Sequence, residues 1–168
     1  KYPVTSIQFK SFVMAEDGYA NDEWWTETGL DWRDQNGPPA GSLPDNCPQN
    51  CVTWYEAVAF CKWYSFKSGM NVRLATEAEW EYAARGNRYT QFVWGNECKS
   101  IYANVNETGI GTVSPVGCFP ASIENGEIYD MNGNLWEWCS SIVEMNNGDK
   151  YEYPYIFDDG RENLEGGE

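Results

Sequence analysis

Two acidic residues, Asp130 and Glu137, bracket a glycine turn in the stretch Asp130-Met131-Asn132-Gly133-Asn134-Leu135-Trp136-Glu137. Hard cations such as calcium take about six to eight oxygen ligands from carboxylates, amides and backbone carbonyls, and this stretch offers all three. The competing explanation is that Asp130 caps a turn and Glu137 sits in a surface strand. On residue types alone that explanation is the stronger. Six cysteines, Cys47, Cys51, Cys61, Cys98, Cys118 and Cys139, are the other reactive groups. An even number in a loop-rich chain points to disulfides and an oxidising compartment, with buried free thiols as the second choice. Zinc is the weakest, because only Cys47 and Cys51 form a close pair and the chain has no His. Spacing leaves the pairing open; Cys98 with Cys118, flanking one loop segment, is the first pair expected.

The absence of His also removes Ser–His and Cys–His nucleophile pairs and most transition-metal sites. Cys61 as a reactive thiolate lacks a neighbouring base, and Cys139 is likewise expected to be structural. No catalytic residue is therefore assigned within these 168 residues. Trp24, Trp25, Trp32, Trp136 and Trp138 offer faces that stack on sugars or peptides, although core packing is the usual role of such rings. The loop 24–32 is the candidate surface for a protein or glycan partner, since exposed aromatic clusters mark interfaces. Asn106-Glu107-Thr108 is a glycosylation sequon, with meaning only in a eukaryotic secreted protein.

The elements that must position these groups announce themselves through one device. In a capping box, a Ser/Thr cap is followed three residues later by Glu or Gln. Thr5 with Gln8 opens a short helix; Thr53 with Glu56 opens the clearest one, to about Gly69; Thr76 with Glu79 opens a third, to Arg85, with Gly86 where a left-handed cap belongs. Residues 14–52 read as long loop. The segments 91–94, 114–119 and 134–139 read as short strands.

Sixteen Gly, eight Pro and nine Trp argue for a turn-rich domain whose core volume comes from rings. A net charge of −15 speaks against nucleic-acid and anionic-membrane partners and suits divalent cations or basic ones. No stretch approaches the ~20 apolar residues of a membrane span. The chain opens at Lys1, which leaves room for a removed leader or an upstream lipid anchor.

Several blocks, in order, resemble the formylglycine-generating enzyme (sulfatase-modifying factor) family. Arg73-Leu74-Ala75-Thr76-Glu77-Ala78-Glu79-Trp80-Glu81-Tyr82-Ala83-Ala84-Arg85-Gly86 is similar to its signature helix, with Ala75 where Pro is usual. Val4-Thr5-Ser6-Ile7-Gln8-Phe9 is similar to its opening helix, and Val52-Thr53-Trp54 through Cys61 to a later one. Tyr129-Asp130-Met131-Asn132-Gly133-Asn134-Leu135-Trp136-Glu137-Trp138-Cys139 is close to its "YDMxGNVWEW" block.

The resemblance implies an α+β, loop-rich, C-type-lectin-related fold with few short helices and short antiparallel strands, as one domain over 1–168 cut short at its C-terminal end. It implies a calcium site at Asp130, Gly133, Leu135 and Glu137, with Gly133 and Leu135 giving backbone carbonyls. A second, poorer one begins at Asn104-Val105. It also implies a disulfide from Cys61 to a C-terminal part beyond Glu168. The family's redox cysteines belong to that part, so copper and the oxidation of a sulfatase Cys to formylglycine are expected only where it is present and active. The reading for these residues is a non-catalytic calcium-binding scaffold or ligand-binding domain, extracytoplasmic (periplasmic, cell-surface or secreted). The alternatives are the N-terminal part of an active oxidase and a retroelement-diversified receptor.

Overall fold

The structure, a computed structural model, describes residues 2–40, 43–119, 128–144 and 148–163. Its framework is four helices: α1 (Ser6–Met14), α2 (Glu27–Asn36), α3 (Trp54–Ser68) and α4 (Glu77–Arg85). Three begin where the capping boxes place them. Thr5, Thr53 and Thr76 are the caps, and Gln8, Glu56 and Glu79 reach back to the cap backbone. Helix α3 ends on Gly69 in the left-handed conformation, which only glycine adopts without strain. Gly86 does not follow this pattern. Its φ of 60° comes with ψ of −137°, so α4 ends by turning the chain away rather than by a left-handed cap.

Helix α2 lies inside the segment expected to be loop. Its cap, Thr26, accepts a bond from the Gly29 amide. Because Gly rather than Glu or Gln holds that third position, the reciprocal half of the capping box is missing. Arg33 near its end bridges Asp22 and Asp34, each at 2.8 Å.

The main core is aromatic, as the composition predicts. Phe9 and Phe12 of α1 meet Phe60 and Trp63 of α3, with ring centroids 5.3–5.9 Å apart, and Tyr19, Trp24 and Trp25 close it. Trp24 and Trp25 are buried because their indole N–H groups find internal carbonyls, Asp17 at 2.6 Å and Tyr19 at 3.0 Å. Trp24 and Trp25 therefore take the core-packing role that is usual for such rings, and of the three tryptophans in 24–32 only Trp32, on α2, is half-exposed. A smaller core of Ala84, Val93 and Met131 packs beneath α4.

The expected strands are absent among the described residues, where only three isolated bridges occur, at Thr5–Pro48, Phe92–Gly95 and Glu144–Lys150. Residues 92–95 close on themselves through mutual bonds of 2.9 and 3.1 Å. In 114–117, side-chain oxygens take the place of ladder partners: the Ser114 amide donates to Asn134 Oδ1 and the Gly117 amide to Asp130 Oδ2. The Val116 amide goes to the Asn46 carbonyl. All six cysteines are free thiols. Cys98 and Cys118 are not bonded; the Cys98 thiol turns instead to Glu107. Among the described residues no helix is long and apolar enough to cross a membrane.

The start of α4 is pinned electrostatically. Arg73 grips both oxygens of Glu79 at 2.7 Å, and the Thr76 amide donates to the same carboxylate at 2.9 Å. The Arg73 hydrogen bond first, then the amide, hold the Glu79 carboxyl at about 2. A depressed folded value stabilises above the ordinary 4.5 and is lost as pH falls towards 2. Glu79→Gln is expected to flatten the acid limb of a melting-temperature profile between those values, an effect of a few degrees that salt reduces.

Candidate metal centre

Residues of the segment 128–138 form one wall of a groove of about 700 Å³ that α1, α3 and α4 also line. Phe60, Cys61, Leu74, Trp80 and Trp136 supply apolar surface there, and Asp130 and Glu137 are its acids. Trp136 is fully exposed and Trp138 half-exposed. The core-packing role expected for Trp136 is thus not the one it has, although the Trp138 indole donates to the Val52 carbonyl at 3.0 Å.

Asp130 is buried and takes a φ of 60°, a conformation Asp tolerates better than most residues. Its Oδ2 accepts the Gly117 amide at 2.7 Å. Glu137 lies near enough for the two charges to interact. Its Oε2 accepts the Trp80 indole N–H of α4 at 2.6 Å. Each carboxylate thus spends one oxygen on a fixed N–H. Burial pushes the Asp130 carboxyl up, against the Gly117 bond. Glu137 has an exposed flank, yet its carboxyl on the groove wall is also pushed up, by burial first; the Trp80 bond opposes this and the charge of Asp130 adds to it. Two carboxylates made costly to ionise together are an arrangement that a cation relieves.

The turn between them is built on Gly133. At its φ of 77° the position where a Cβ would sit is 2.3 Å from the Asn104 carbonyl oxygen, so glycine is required for both conformation and space. The next amide, Asn134, donates to that carbonyl at 2.8 Å. The Asn104 side-chain amide donates to Thr112 O at 2.8 Å, Ser114 Oγ at 3.3 Å and Asn134 Oδ1 at 3.2 Å. Asn104 and Val105, read from sequence as a separate site, are thus brought against the 133–134 turn. The Val105 carbonyl is held by the Thr108 hydroxyl and amide. The supporting roles of Asn104, Gly117 and Trp80 went unrecognised in the sequence. The Asn-Gly-Asn run signals a tight turn, but nothing local says which distant carbonyl it packs on.

The donors are hard oxygens, which fits calcium. Among the described residues no three His, Cys, Asp or Glu side chains cluster at one point. A cation here would therefore take most of its ligands from carbonyls and water, with Asp130 and Glu137 neutralising its charge. The thiols offer little alternative: burial pushes Cys61 and Cys139 up to about 11, so both stay protonated at neutral pH.

The whole chain, residues 1–168, matches the sulfatase-modifying factor enzyme 1-like domain. It is 37% identical over 134 residues to the formylglycine-generating enzyme of Mus musculus, covering 70% of this chain and 34% of that protein. It is 36% identical over 132 residues to the inactive C-alpha-formylglycine-generating enzyme 2 of Bos taurus, covering 70% and 41%. Among solved structures, PvdO from Pseudomonas aeruginosa superposes with a TM-score of 0.52 and 31% identity over 62% of this chain and 42% of its own. The chain thus spans less than half the length of each of these proteins. The fold agrees with that of PvdO over the part that superposes, and the relatives named formylglycine-generating enzyme and inactive C-alpha-formylglycine-generating enzyme 2 match at nearly the same identity. The chain belongs to the sulfatase-modifying factor enzyme 1-like family.

Proposed function

We propose that these residues form a non-catalytic, extracytoplasmic domain that binds one calcium ion through Asp130 and Glu137 and the carbonyls of Gly133 and Leu135. The observation that carries the reading is the pair of carboxylates, each fixed by an N–H and each pushed up by burial, on either side of a turn only glycine can make. Calcium would supply charge neutralisation and cross-link the turn to the end of the segment; it has no assigned part in a reaction. A non-catalytic role is supported by the two half-buried, protonated thiols and by the lack of any His to activate a nucleophile. An extracytoplasmic setting is in keeping with the acidic balance and would give the site access to calcium, which is plentiful outside cells.

A ligand of the folded state raises its stability by mass action, by about 2.7 kcal/mol at one hundred times Kd. For a chain of this size that corresponds to about 5–10 °C in melting temperature. Melting curves with calcium and with chelator are expected to differ by that amount in the native chain and to coincide in Glu137→Gln. Coincidence in the native chain would remove the proposal.

A further inference from the structure

The segment 148–163 is folded tightly around one side chain. Arg161 is 2% exposed. Its guanidinium lies 4.6 Å from the ring centre of Tyr155, 5.2 Å from Tyr151 and 5.6 Å from Tyr153. Nε reaches both oxygens of Asp159, at 3.1 and 2.9 Å, and Nη2 reaches Asp159 Oδ2 at 2.6 Å and the Glu152 carbonyl at 2.8 Å. Arginine suits this place because its planar fork can stack on rings and bind a carboxylate edge-on at once.

The caged arginine is tied to the rest of the molecule by its backbone and its neighbour. The Arg161 carbonyl accepts the Ile142 amide at 2.8 Å. The Glu162 carboxylate accepts hydroxyls from Ser140 at 2.8 Å, Tyr155 at 2.6 Å and Ser141. Ser141 Oγ in turn accepts the Glu77 amide, the first of α4, at 2.8 Å, and the Ser140 amide donates to the Ala75 carbonyl at 2.8 Å. The Tyr153 hydroxyl adds a bond to the Glu77 carboxylate. One turn along α4 from Glu77 stands Trp80, whose indole N–H holds Glu137. The bonds close a ring: Arg161 and Glu162 to Ser140–Ile142, to the start of α4, to Trp80, to Glu137, and back along the chain to Ser140.

We propose that Arg161 is a positioning residue for Glu137: the strap 148–163, locked by its tyrosine cage, fixes the start of α4 against residues 140–142 and so aims Trp80 and Glu137 at the candidate cation position. The inference rests on the calcium reading for its functional sense. Its structural content, a fixed coupling between the strap and residues 137–142, stands separately. Partners that orient a ligand from behind typically change metal affinity by about 10- to 100-fold.

The test is calcium titration by calorimetry, with amide exchange in parallel, on the native chain, Glu137→Gln, Arg161→Ala, Arg161→Lys and Ser141→Ala. Arg161→Ala is expected to weaken calcium binding by about tenfold or more and to speed exchange at Ser140 and Ile142. Arg161→Lys, which keeps the charge among the rings but loses the fork, is expected to lie between. Ser141→Ala removes the half-buried hydroxyl that links Glu162 to the Glu77 amide, and serves in place of Arg161→Ala if that variant does not fold. Native affinity in folded Arg161→Ala and Ser141→Ala, with Glu137→Gln inactive in binding, overturns the strap and leaves the calcium site standing. No calcium binding by the native chain overturns the site instead. The strap is then judged by exchange alone: unchanged protection at Ser140 and Ile142 in the Arg161 variants overturns it too, and lost protection supports the coupling.

Discussion

Gly133→Ala is expected to be among the most damaging single substitutions in the chain, although it adds one methyl group. That methyl would stand 2.3 Å from the Asn104 carbonyl oxygen and 3.1 Å from Val105 Cγ1. The oxygen belongs to backbone, already fixed by the Asn134 amide, so no flexible side chain can swing aside. The φ of 77° adds conformational strain of about 1 kcal/mol for any residue with a Cβ. Strain and displacement together should cost about 3 kcal/mol, or about 6–12 °C in melting temperature. The movement of the turn should also erase the difference between calcium and chelator. A melting curve within a degree or two of the native one would mean that the turn is not built as described.

Glu56→Ala is the second. Glu56 is wholly buried at the third position of α3. One carboxylate oxygen accepts the Thr53 amide at 2.7 Å and its hydroxyl at 3.0 Å; the other meets the Tyr19 hydroxyl at 3.0 Å. Tyr19 is also 2.8 Å from the Gly37 carbonyl, and a single hydroxyl proton cannot serve both acceptors fully. Alanine removes half the capping box and leaves buried polar groups without partners. Together these should cost about 3 kcal/mol.

Glu56→Gln should lose far less, because an amide can accept from Thr53 and donate to Tyr19. Burial raises the Glu56 carboxyl above its ordinary 4.5, against the bonds from Thr53 and Tyr19. The neutral form therefore suits the fold. Its contribution is full below 4.5 and is lost as pH rises through the folded value, opposite in sign to Glu79. Stability profiles of the native chain and Glu56→Gln should diverge on that rise; parallel profiles would sink the assignment.

What could be read from sequence was whatever a few neighbouring residues decide. Thr5–Gln8, Thr53–Glu56 and Thr76–Glu79 each settle a helix start within one turn, and all three stand. Helix α2 escaped because Thr26 caps without a reciprocal Glu or Gln. The expected strand at 114–119 failed because distant side chains, Asn134 and Asp130, took the amides that a ladder needs, and the one at 134–139 opens instead with the Asn134 amide on the Asn104 carbonyl. For Trp24 and Trp25 the sequence leaves core packing and a binding surface both open, because nothing local reveals the carbonyls of Asp17 and Tyr19 that let them sink. The acids of the candidate site were legible through the family blocks. That Asn104 backs the same turn was not, since that packing joins residues thirty positions apart.

Trp136 stands fully in solvent one residue before Glu137, whereas Trp24, Trp25 and Trp63 are enclosed. Its emission should therefore be the reddest of the indoles and the most open to a collisional quencher. Caesium, drawn by a surface carrying −15, should quench it more readily than iodide of the opposite sign. The chain thus carries its own optical reporter beside the site, one that senses the local potential without any label.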